Sequence, residues 1–321
     1  MIKHLLLIFI FVKSLSAYEL IDYYRKNGAV QITLKAEKLL KSKKFWLKRL
    51  QNYDTDFGYY ENIKHLLIVD KAFKSLDLYK FNNDEFTLIQ TEDILVGKNR
   101  GYKRFEGDKK TPTGVYHLVK RLTKVDSFYG PLALVLSYPN IFDKLKGRTG
   151  SGIWIHGKPY NQSRKPFTKG CVAMENNKLQ KLNRVLKNID KSLIILADGH
   201  LKKVQKRDLA IILSSIYKWL AYWRNNQFKQ YISFYSKEFK KDDGKNFTQF
   251  REYKSKIFRR KDKKKIFITD VNISPYPNNY RRNIFLVSFY ENYKTSSFHW
   301  AGQKVLFVEV VGNQIKIIIE Q

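Results

Sequence analysis

Residues 152–157 read GIWIHG, and residues 168–172, which follow after a polar loop, read TKGCV. The first stretch predicts a strand that ends at His156, and glycines flank both the histidine and Cys171. Glycine lets the backbone turn sharply and lets another molecule approach closely. The two stretches therefore predict one concave site that contains a histidine and a thiol.

Cys171 is the only cysteine of the chain, so it can form no disulfide within it. A thiol with the ordinary pKa of ~8.5 is only a few per cent thiolate at neutral pH, and a neighbouring imidazolium or the start of a helix lowers that pKa. The sequence offers both, because His156 precedes the cysteine and a predicted helix, capped by Asn176 or Asn177, follows it. We predict a Cys171 nucleophile with His156 as its base, and the amides of Gly170 and Cys171 as an oxyanion hole. The alternative is a buried structural cysteine.

Further motifs accompany the two stretches. Residues 106–116 read EGDKKTPTGVY, and Gly-Pro and Tyr-Pro pairs stand at 130–131 and 138–139. Together with His156-Gly157 and the TKGCV stretch, they resemble the signature of the L,D-transpeptidase (YkuD-type) family, in which a His-Gly is followed by Ser/Thr-x-Gly-Cys-Val/Ile. The resemblance covers about residues 66–198. It implies a mainly β catalytic domain of L,D-transpeptidase type.

The resemblance also implies a reaction. Cys171 would attack the carbonyl at the L-centre of diaminopimelate in a peptidoglycan stem tetrapeptide and expel the terminal D-alanine. His156 would serve as the base, and the carbonyl of Gly157 would orient its imidazole. Four further residues are expected to bind the oxyanion or the substrate: Gly170, Thr168, Lys169 and Val172. Peptidoglycan stem peptides are thus the expected partners, and neither a cofactor nor a metal is expected.

The acyl-enzyme of such a reaction has two fates. Water releases a tripeptide, which is L,D-carboxypeptidase activity, whereas an amine from another stem forms a cross-link, which is L,D-transpeptidase activity. Most members of the family carry an arginine two residues after the cysteine, where this chain has Ala173, and its absence counts against cross-linking. The overall architecture resembles the murein L,D-carboxypeptidases that set cell shape in curved or helical Gram-negative bacteria, so we expect hydrolysis. A transpeptidase and a wall-binding scaffold with a vestigial catalytic pair are the alternatives.

The length of 321 residues predicts two domains with a small addition. Short apolar runs separated by turn residues, from about His65, predict an antiparallel meander. After a polar, basic boundary at residues 198–206, helical patterns come first and strands second, which predicts an α+β layout with a curved antiparallel sheet. That half resembles a nuclear-transport-factor-2-like cone. The predicted regions are a signal peptide (1–17), a helical N-terminal segment (18–60), the catalytic domain (61–200) and the C-terminal α+β cone-like domain (201–321).

The first residues have the three-part pattern of a secretory signal peptide: Lys3, an apolar run at residues 5–12, and Ser16-Ala17 before the expected cleavage. The alternative is a first core helix or strand. No later run reaches the ~18 uncharged apolar residues that a membrane helix needs. We therefore expect a periplasmic protein.

The formal net charge is +32, and the basic residues are spread along the chain. Nucleic acid is the usual partner of such a charge, but export argues against it. Weak association with anionic envelope surfaces is expected instead, and ordinary solvated faces are the alternative. In the N-terminal helices, apolar residues at helical spacing need a partner surface, which is either the rest of the chain or a second copy in a homodimer.

Other chemistries have little support. The histidines show no H-E-x-x-H or H-x-H spacing for zinc, and no G-x-S-x-G elbow occurs. Asp108 and the two lysines after it are interpreted as a solvated turn rather than as the rim of an active site. Trp219, Trp223 and Trp300 are interpreted as ordinary core rather than as a pocket for a sugar or peptide.

Overall fold

The structure is a computed structural model. It describes residues 2–321 except 161, 162, 164, 200 and 281, and of residues 2–18 it describes the backbone alone. Met1 and the side chains of the predicted signal peptide therefore lie outside the described part, and the signal peptide stays a prediction. Among the residues described in full, no helix is long and apolar enough to cross a membrane.

Helices begin the chain and recur in both halves, and strands fill the rest. The helices are α1 (Ile2–Leu40), α2 (Lys43–Arg49), α3 (Ile141–Leu145), α4 (Asn176–Val185), α5 (Lys206–Arg224), α6 (Phe228–Ile232) and α7 (Phe247–Arg259). The strands are β1 (Tyr59–Tyr60), β2 (His65–Asp70), β3 (Ser75–Asn82), β4 (Glu85–Asp93), β5 (Gly114–Leu122), β6 (Ala133–Leu136), β7 (Trp154–His156), β8 (Val172–Ala173), β9 (Ser192–Ala197), β10 (Tyr235–Lys241), β11 (Lys265–Pro275), β12 (Ile284–Lys294), β13 (His299–Val311) and β14 (Gln314–Glu320).

The predicted catalytic domain contains one sheet with the strand order β4-β3-β2-β9-β5-β6-β7-β8. The sequence predicted an antiparallel meander, and this is wrong at two places, because β9 pairs in parallel with β2 and β8 pairs in parallel with β7. The chain reaches β9 only after crossing over through α4, and a crossover connection is what a parallel pair requires. Every residue of β9 is buried, as befits a central strand covered on both faces.

The C-terminal domain forms a second sheet in the order β1-β11-β12-β13-β14-β10, with α5 packed against it. The pairs along β11 to β14 are antiparallel, and β11 shifts its register between Thr269 and Asn272, where Asp270 has a φ of 56°. Such a bulge bends a strand, so it contributes to the curvature of the sheet. The predicted α+β cone with a curved sheet is thereby confirmed, although β10 joins in parallel.

The N-terminal segment is attached to the C-terminal domain rather than lying apart. Trp46 in α2 is buried and stacks on Tyr217 of α5 at 5.7 Å between ring centroids. Strand β1 extends the C-terminal sheet by pairing with β11. Other apolar side chains of the segment stay exposed, among them Leu34 at 54% and Leu39 at 42%. The rest of the chain therefore covers part of the predicted apolar stripe, and a homodimer through the N-terminal helices stays a prediction.

The two domains share one of two hydrophobic clusters. One face of the catalytic sheet, including Ile68 and Ile195, packs into the same cluster as the C-terminal domain. The opposite face, including Leu67 and Ile194, packs with α4 and the strands around the predicted active site. The catalytic sheet thus lies between the two clusters, with the C-terminal domain on one face and the predicted active site on the other.

Helix α3 ties the domains together with buried polar groups. Asp143 is fully buried, and it accepts hydrogen bonds from the hydroxyl of Tyr116 at 2.9 Å and from the guanidinium of Arg148 at 2.6 Å. Asn140, which caps α3, donates to the hydroxyl of Tyr276 in the C-terminal domain at 3.0 Å. Burial raises the pKa of Asp143 although the Arg148 charge opposes it.

Candidate active site

Strand pairing brings the two predicted reactive residues to the same edge of the catalytic sheet. The parallel register sets Ile155 opposite Val172 and His156 opposite Ala173. Cys171 directly precedes β8, so the register places it alongside the strand that ends in His156. The imidazole is 1% exposed, whereas Cys171 is half-buried. The thiol contacts the carbonyl of Gly152, with 3.5 Å between Sγ and the oxygen.

The imidazole of His156 is oriented by the backbone. Its Nδ1 lies 2.7 Å from the carbonyl oxygen of Gly157, and because a carbonyl can only accept, Nδ1 carries the proton in this contact. The other ring nitrogen, Nε2, is then the one that can take up or release a proton. The ring of Tyr129 packs edge-on against the imidazole at 5.0 Å. This arrangement suits a base held in one tautomer.

A threonine shapes the turn that carries the thiol. The hydroxyl of Thr168 donates to the carbonyl of Cys171 at 2.7 Å and accepts from the amide of Gly170 at 3.0 Å. Thr168 is itself anchored, because its amide donates to the carbonyl of Val96 and its side chain is buried. The amide of Gly170 therefore already has an acceptor, and it can serve as the predicted oxyanion donor only if it leaves Thr168. The contact between Gly170 and Thr168 could not be predicted, since the sequence does not show where the threonine hydroxyl points, and the oxyanion hole stays a prediction.

Of the other predicted binding residues, Lys169 lies at the surface and Val172 lies in the core. Lys169 is exposed at the rim beside Cys171. Val172 is fully buried and belongs to the core cluster beneath the site, so its side chain packs and does not face a substrate. Ala173 is also fully buried, with its amide and carbonyl bonded to Leu95. The position at which the resemblance implies an arginine is thus enclosed, with Leu95 bonded to it on one side and β7 on the other.

The interpretation of Asp108 and the two lysines after it as a solvated turn is wrong for Asp108, although Lys109 is exposed. The carboxylate is 7% exposed and pairs with Lys103 at 2.8 Å. It also accepts from the amides of Arg104 and Lys110. The backbone of Lys110 lies against the turn that carries Cys171. A Cβ added at Gly170 would lie 3.0 Å from the carbonyl oxygen of Lys110. Asp108 therefore holds a loop in place next to the thiol.

Two residues near the base were missed as functional candidates. The carbonyl of Tyr129 accepts a hydrogen bond from the amide of Gly157 at 2.8 Å. Asn176, one of two asparagines predicted to cap α4, instead bonds with its side chain to both backbone groups of Lys158. Neither contact has a local sequence signal, because each joins segments that are 18 or more residues apart.

The C-terminal domain contains a second concave site, a cavity of about 490 Å³. We call it the C-terminal pocket, and its walls include Trp219, Trp223, Trp300, Lys254, Glu291, Lys304 and Glu320. The tryptophans, interpreted above as ordinary core, thus line a cavity, although Trp219 and Trp223 are themselves buried.

Paired charges lie inside the C-terminal pocket. Lys304 pairs with Glu320 at 2.6 Å, and Glu320 also accepts from the hydroxyl of Tyr235 at 2.7 Å. The ammonium of Lys254 lies 4.2 Å from the centre of the Trp223 ring. Burial lowers the pKa of Lys254 to about 8 even though Glu320 opposes the shift.

Comparisons with known proteins agree with this geometry. Residues 64–198 match the L,D-transpeptidase (YkuD) catalytic domain, and residues 211–321 match the Cds6 C-terminal NTF2-like domain. The chain belongs to the L,D-transpeptidase family, in the architecture that adds an NTF2-like domain. It is similar to the helical cell shape determining protein Pgp2 of Campylobacter jejuni, with 36% identity and a TM-score of 0.82 over 88% of this chain and 99% of that one. The predicted family and fold class are confirmed.

Two more distant relatives cover different lengths. Bd1075 of Bdellovibrio bacteriovorus is 26% identical with a TM-score of 0.66, over 84% of this chain and 96% of that one. The putative L,D-transpeptidase YafK of Escherichia coli K12 is 29% identical over 113 residues, which are 35% of this chain and 43% of the relative. The chain thus matches less than half the length of that curated relative.

Proposed function

We propose that the chain is a peptidoglycan L,D-carboxypeptidase, which removes the terminal D-alanine from stem tetrapeptides through a Cys171 acyl-enzyme and helps to set cell shape. The observation that carries this proposal is the pair of adjoining strands that sets the only thiol beside His156, whose Nδ1 is bonded to the Gly157 carbonyl. Membership of a family of cysteine-dependent peptidoglycan enzymes supports peptidoglycan as the substrate.

The reaction follows from these groups. His156 takes the thiol proton through Nε2, and the Cys171 thiolate forms a bond to the carbonyl carbon at the L-centre of diaminopimelate. The oxyanion that develops is bound by backbone amides of the cysteine turn, among which the Cys171 amide is the predicted donor. The bond to the D-alanine nitrogen then breaks as His156 returns its proton to that nitrogen. Free D-alanine leaves, and a thioester remains.

Hydrolysis completes the cycle. His156 takes a proton from water, and the hydroxide adds to the thioester carbonyl. The carbon–sulfur bond then breaks as His156 returns the proton to the sulfur, which releases a tripeptide and the Cys171 thiol. Two observations favour water over an amine as the acceptor: the similarity to a cell-shape protein over nearly its full length, and the buried Ala173 in place of the usual arginine. Transfer to an amine of another stem is the alternative within the same chemistry.

A second candidate function is binding to the cell wall through the C-terminal domain. The C-terminal pocket offers carboxylates, ammonium groups and indole rings together. A stem peptide carries groups of both charges, so such a pocket suits it. The expected signal peptide places both functions in the periplasm, and the net charge of +32 supports a weak attraction to anionic envelope surfaces.

One product assay tests these functions. Purified protein and its Cys171→Ala variant are incubated with tetrapeptide muropeptides, with and without a second stem as acceptor. Tripeptide and free D-alanine that vanish in the variant support the carboxypeptidase, and new dimers support the transpeptidase. No turnover by the unmodified protein, with muropeptides retained on it, leaves the wall-binding scaffold.

A further inference from the structure

The turn after the catalytic base is held by a side chain from another element. Asn176 accepts a hydrogen bond from the Lys158 amide through Oδ1 at 2.8 Å and donates one to the Lys158 carbonyl through Nδ2 at 3.0 Å. The Lys158 amide and the Gly157 carbonyl belong to one peptide group, which is planar. The orientation of the amide therefore fixes the orientation of the carbonyl. That carbonyl is the one bonded to Nδ1 of His156.

The backbone around this contact leaves room only for the carboxamide. A Cβ added at Gly157 would lie 2.1 Å from Oδ1 of Asn176, and one added at Gly130 would lie 2.3 Å from the same atom. Gly157 is not among the residues with a positive φ, so its glycine is required by space and not by backbone conformation. Two glycines thus open the space that Asn176 fills.

Within the described structure, Asn176 also makes no capping hydrogen bond to α4, although its place in the sequence predicts a helix cap. It is the first residue of α4, and the cap position before it, Glu175, makes no capping hydrogen bond with its side chain. An asparagine at the cap position typically stabilises a helix. Here the only asparagine beside that position turns away from the helix and toward the base. Departures from local rules of this kind concentrate at functional sites.

We propose that Asn176 is a positioning residue of the catalytic base. It fixes the 157–158 peptide and thereby holds His156 in the Nδ1-protonated tautomer, in which Nε2 is the nitrogen that exchanges the thiol proton. The inference rests on the proposed Cys171–His156 pair. Without the carboxamide the peptide can rotate, and the hydrogen bond to Nδ1 weakens. The imidazolium then loses an acceptor, so the thiolate beside it forms less readily at neutral pH.

The rate at which iodoacetamide alkylates the protein, followed between about pH 5 and 9, tests this directly, because the chain has a single thiol. We expect Asn176→Ala to lower the rate near neutral pH about tenfold, with the profile moved by about one pH unit toward that of an ordinary thiol. Alanine is a better helix former than asparagine, so α4 should form. Asn176→Leu, which keeps the branched shape of the side chain but can form neither hydrogen bond, replaces it if the alanine variant does not fold.

Two further variants make the test specific. Asn176→Asp can still accept from the Lys158 amide but cannot donate to the Lys158 carbonyl, so its alkylation rate should fall less than that of Asn176→Ala. Asn177→Ala is the matched control, because Asn177 is exposed and its side chain accepts from the Lys178 amide within its own helix. Folded Asn176→Ala with an unchanged profile overturns the proposal, as does an equal loss in Asn176→Asp.

The alkylation assay needs no substrate, so it separates this inference from the proposed function. If the profiles change as expected but no D-alanine is released, the carboxypeptidase proposal fails and the role of Asn176 stands. If D-alanine is released and Asn176→Ala keeps the original profile, the carboxypeptidase proposal stands and the role of Asn176 fails. With tetrapeptide, a positioning role also predicts a lower kcat with KM within about twofold.

Discussion

The catalytic site and the C-terminal pocket are two concave sites that hold their polar groups by different means. At the catalytic site, His156 is oriented by a backbone carbonyl, that of Gly157. In the C-terminal pocket, side-chain charges hold one another, with Lys304 paired to Glu320 and Lys254 nearby over an indole ring. A site held by backbone should be sensitive to crowding, whereas a site held by charge should be sensitive to the loss of a partner. Substitutions at Glu320 and at Gly157 separate these two sensitivities.

The largest effect is expected when the reactive atom is removed. Cys171→Ala should lower the rate of D-alanine release from tetrapeptides by at least about a thousandfold, because the acyl-enzyme cannot form. Cys171 is half-buried and the change to alanine removes only its sulfur atom, so the melting temperature should stay within about 2 °C. Enzymatic assay of D-alanine and calorimetry check both. Retention of a tenth of the activity would exclude Cys171 as the nucleophile.

The same contrast explains how much could be predicted from sequence. The catalytic motif is local, because the turn from Thr168 to Cys171 closes on itself and the carbonyl that orients His156 belongs to the next residue. Residues that act together are therefore neighbours in the chain, and the site and family could be recognised. The order of helices before strands likewise sufficed for the α+β class of the C-terminal domain.

Features that join distant segments could not be predicted. The parallel pairing of β2 with β9 brings His65 beside Ser192, and β1 reaches across to β11. The C-terminal pocket combines Trp223, Lys254 and Glu320 from a helix, another helix and the last strand. No periodicity marks such residues, because their apolar neighbours give the pattern of an ordinary core.

The next effect in size concerns the charges of the C-terminal pocket. Glu320→Ala leaves Lys304 and the Tyr235 hydroxyl without their acceptor, and removing one partner of a buried pair typically costs about 3–5 kcal/mol. We expect a loss of that order in the free energy of unfolding, measured with urea. Where the variant remains folded, D-alanine release from soluble tetrapeptide should stay within about threefold. A stability equal to that of the unmodified protein would mean that the pair is not buried in solution.

The pH dependence of stability offers a slightly smaller effect. Burial alone would raise the pKa of Glu320, but the charges of Lys304 and Lys254 outweigh it and hold the pKa at about 2, below the ordinary 4.5. The carboxylate thus stabilises the fold fully above about pH 4.5, and this contribution is lost as the pH falls toward 2. It amounts to at most about 3 kcal/mol. The difference in unfolding free energy between the unmodified protein and Glu320→Gln should therefore shrink between pH 4.5 and 2, and a constant difference would contradict the assignment.

The smallest effect tests crowding at the catalytic site. A methyl group at position 157 would lie 2.1 Å from Oδ1 of Asn176, whereas one at Gly147 would meet nothing within 4 Å. Gly147→Ala is the matched control, because its φ of 68° costs an alanine about 1 kcal/mol of stability without any clash. We expect Gly157→Ala to lower kcat for D-alanine release about 10- to 100-fold, since a small displacement of a catalytic group is enough for that. Gly147→Ala should lose stability and keep kcat within about threefold. Equal kcat in the two variants would show that the backbone at His156 is not held by the space around it, and the contrast between the two sites would no longer stand.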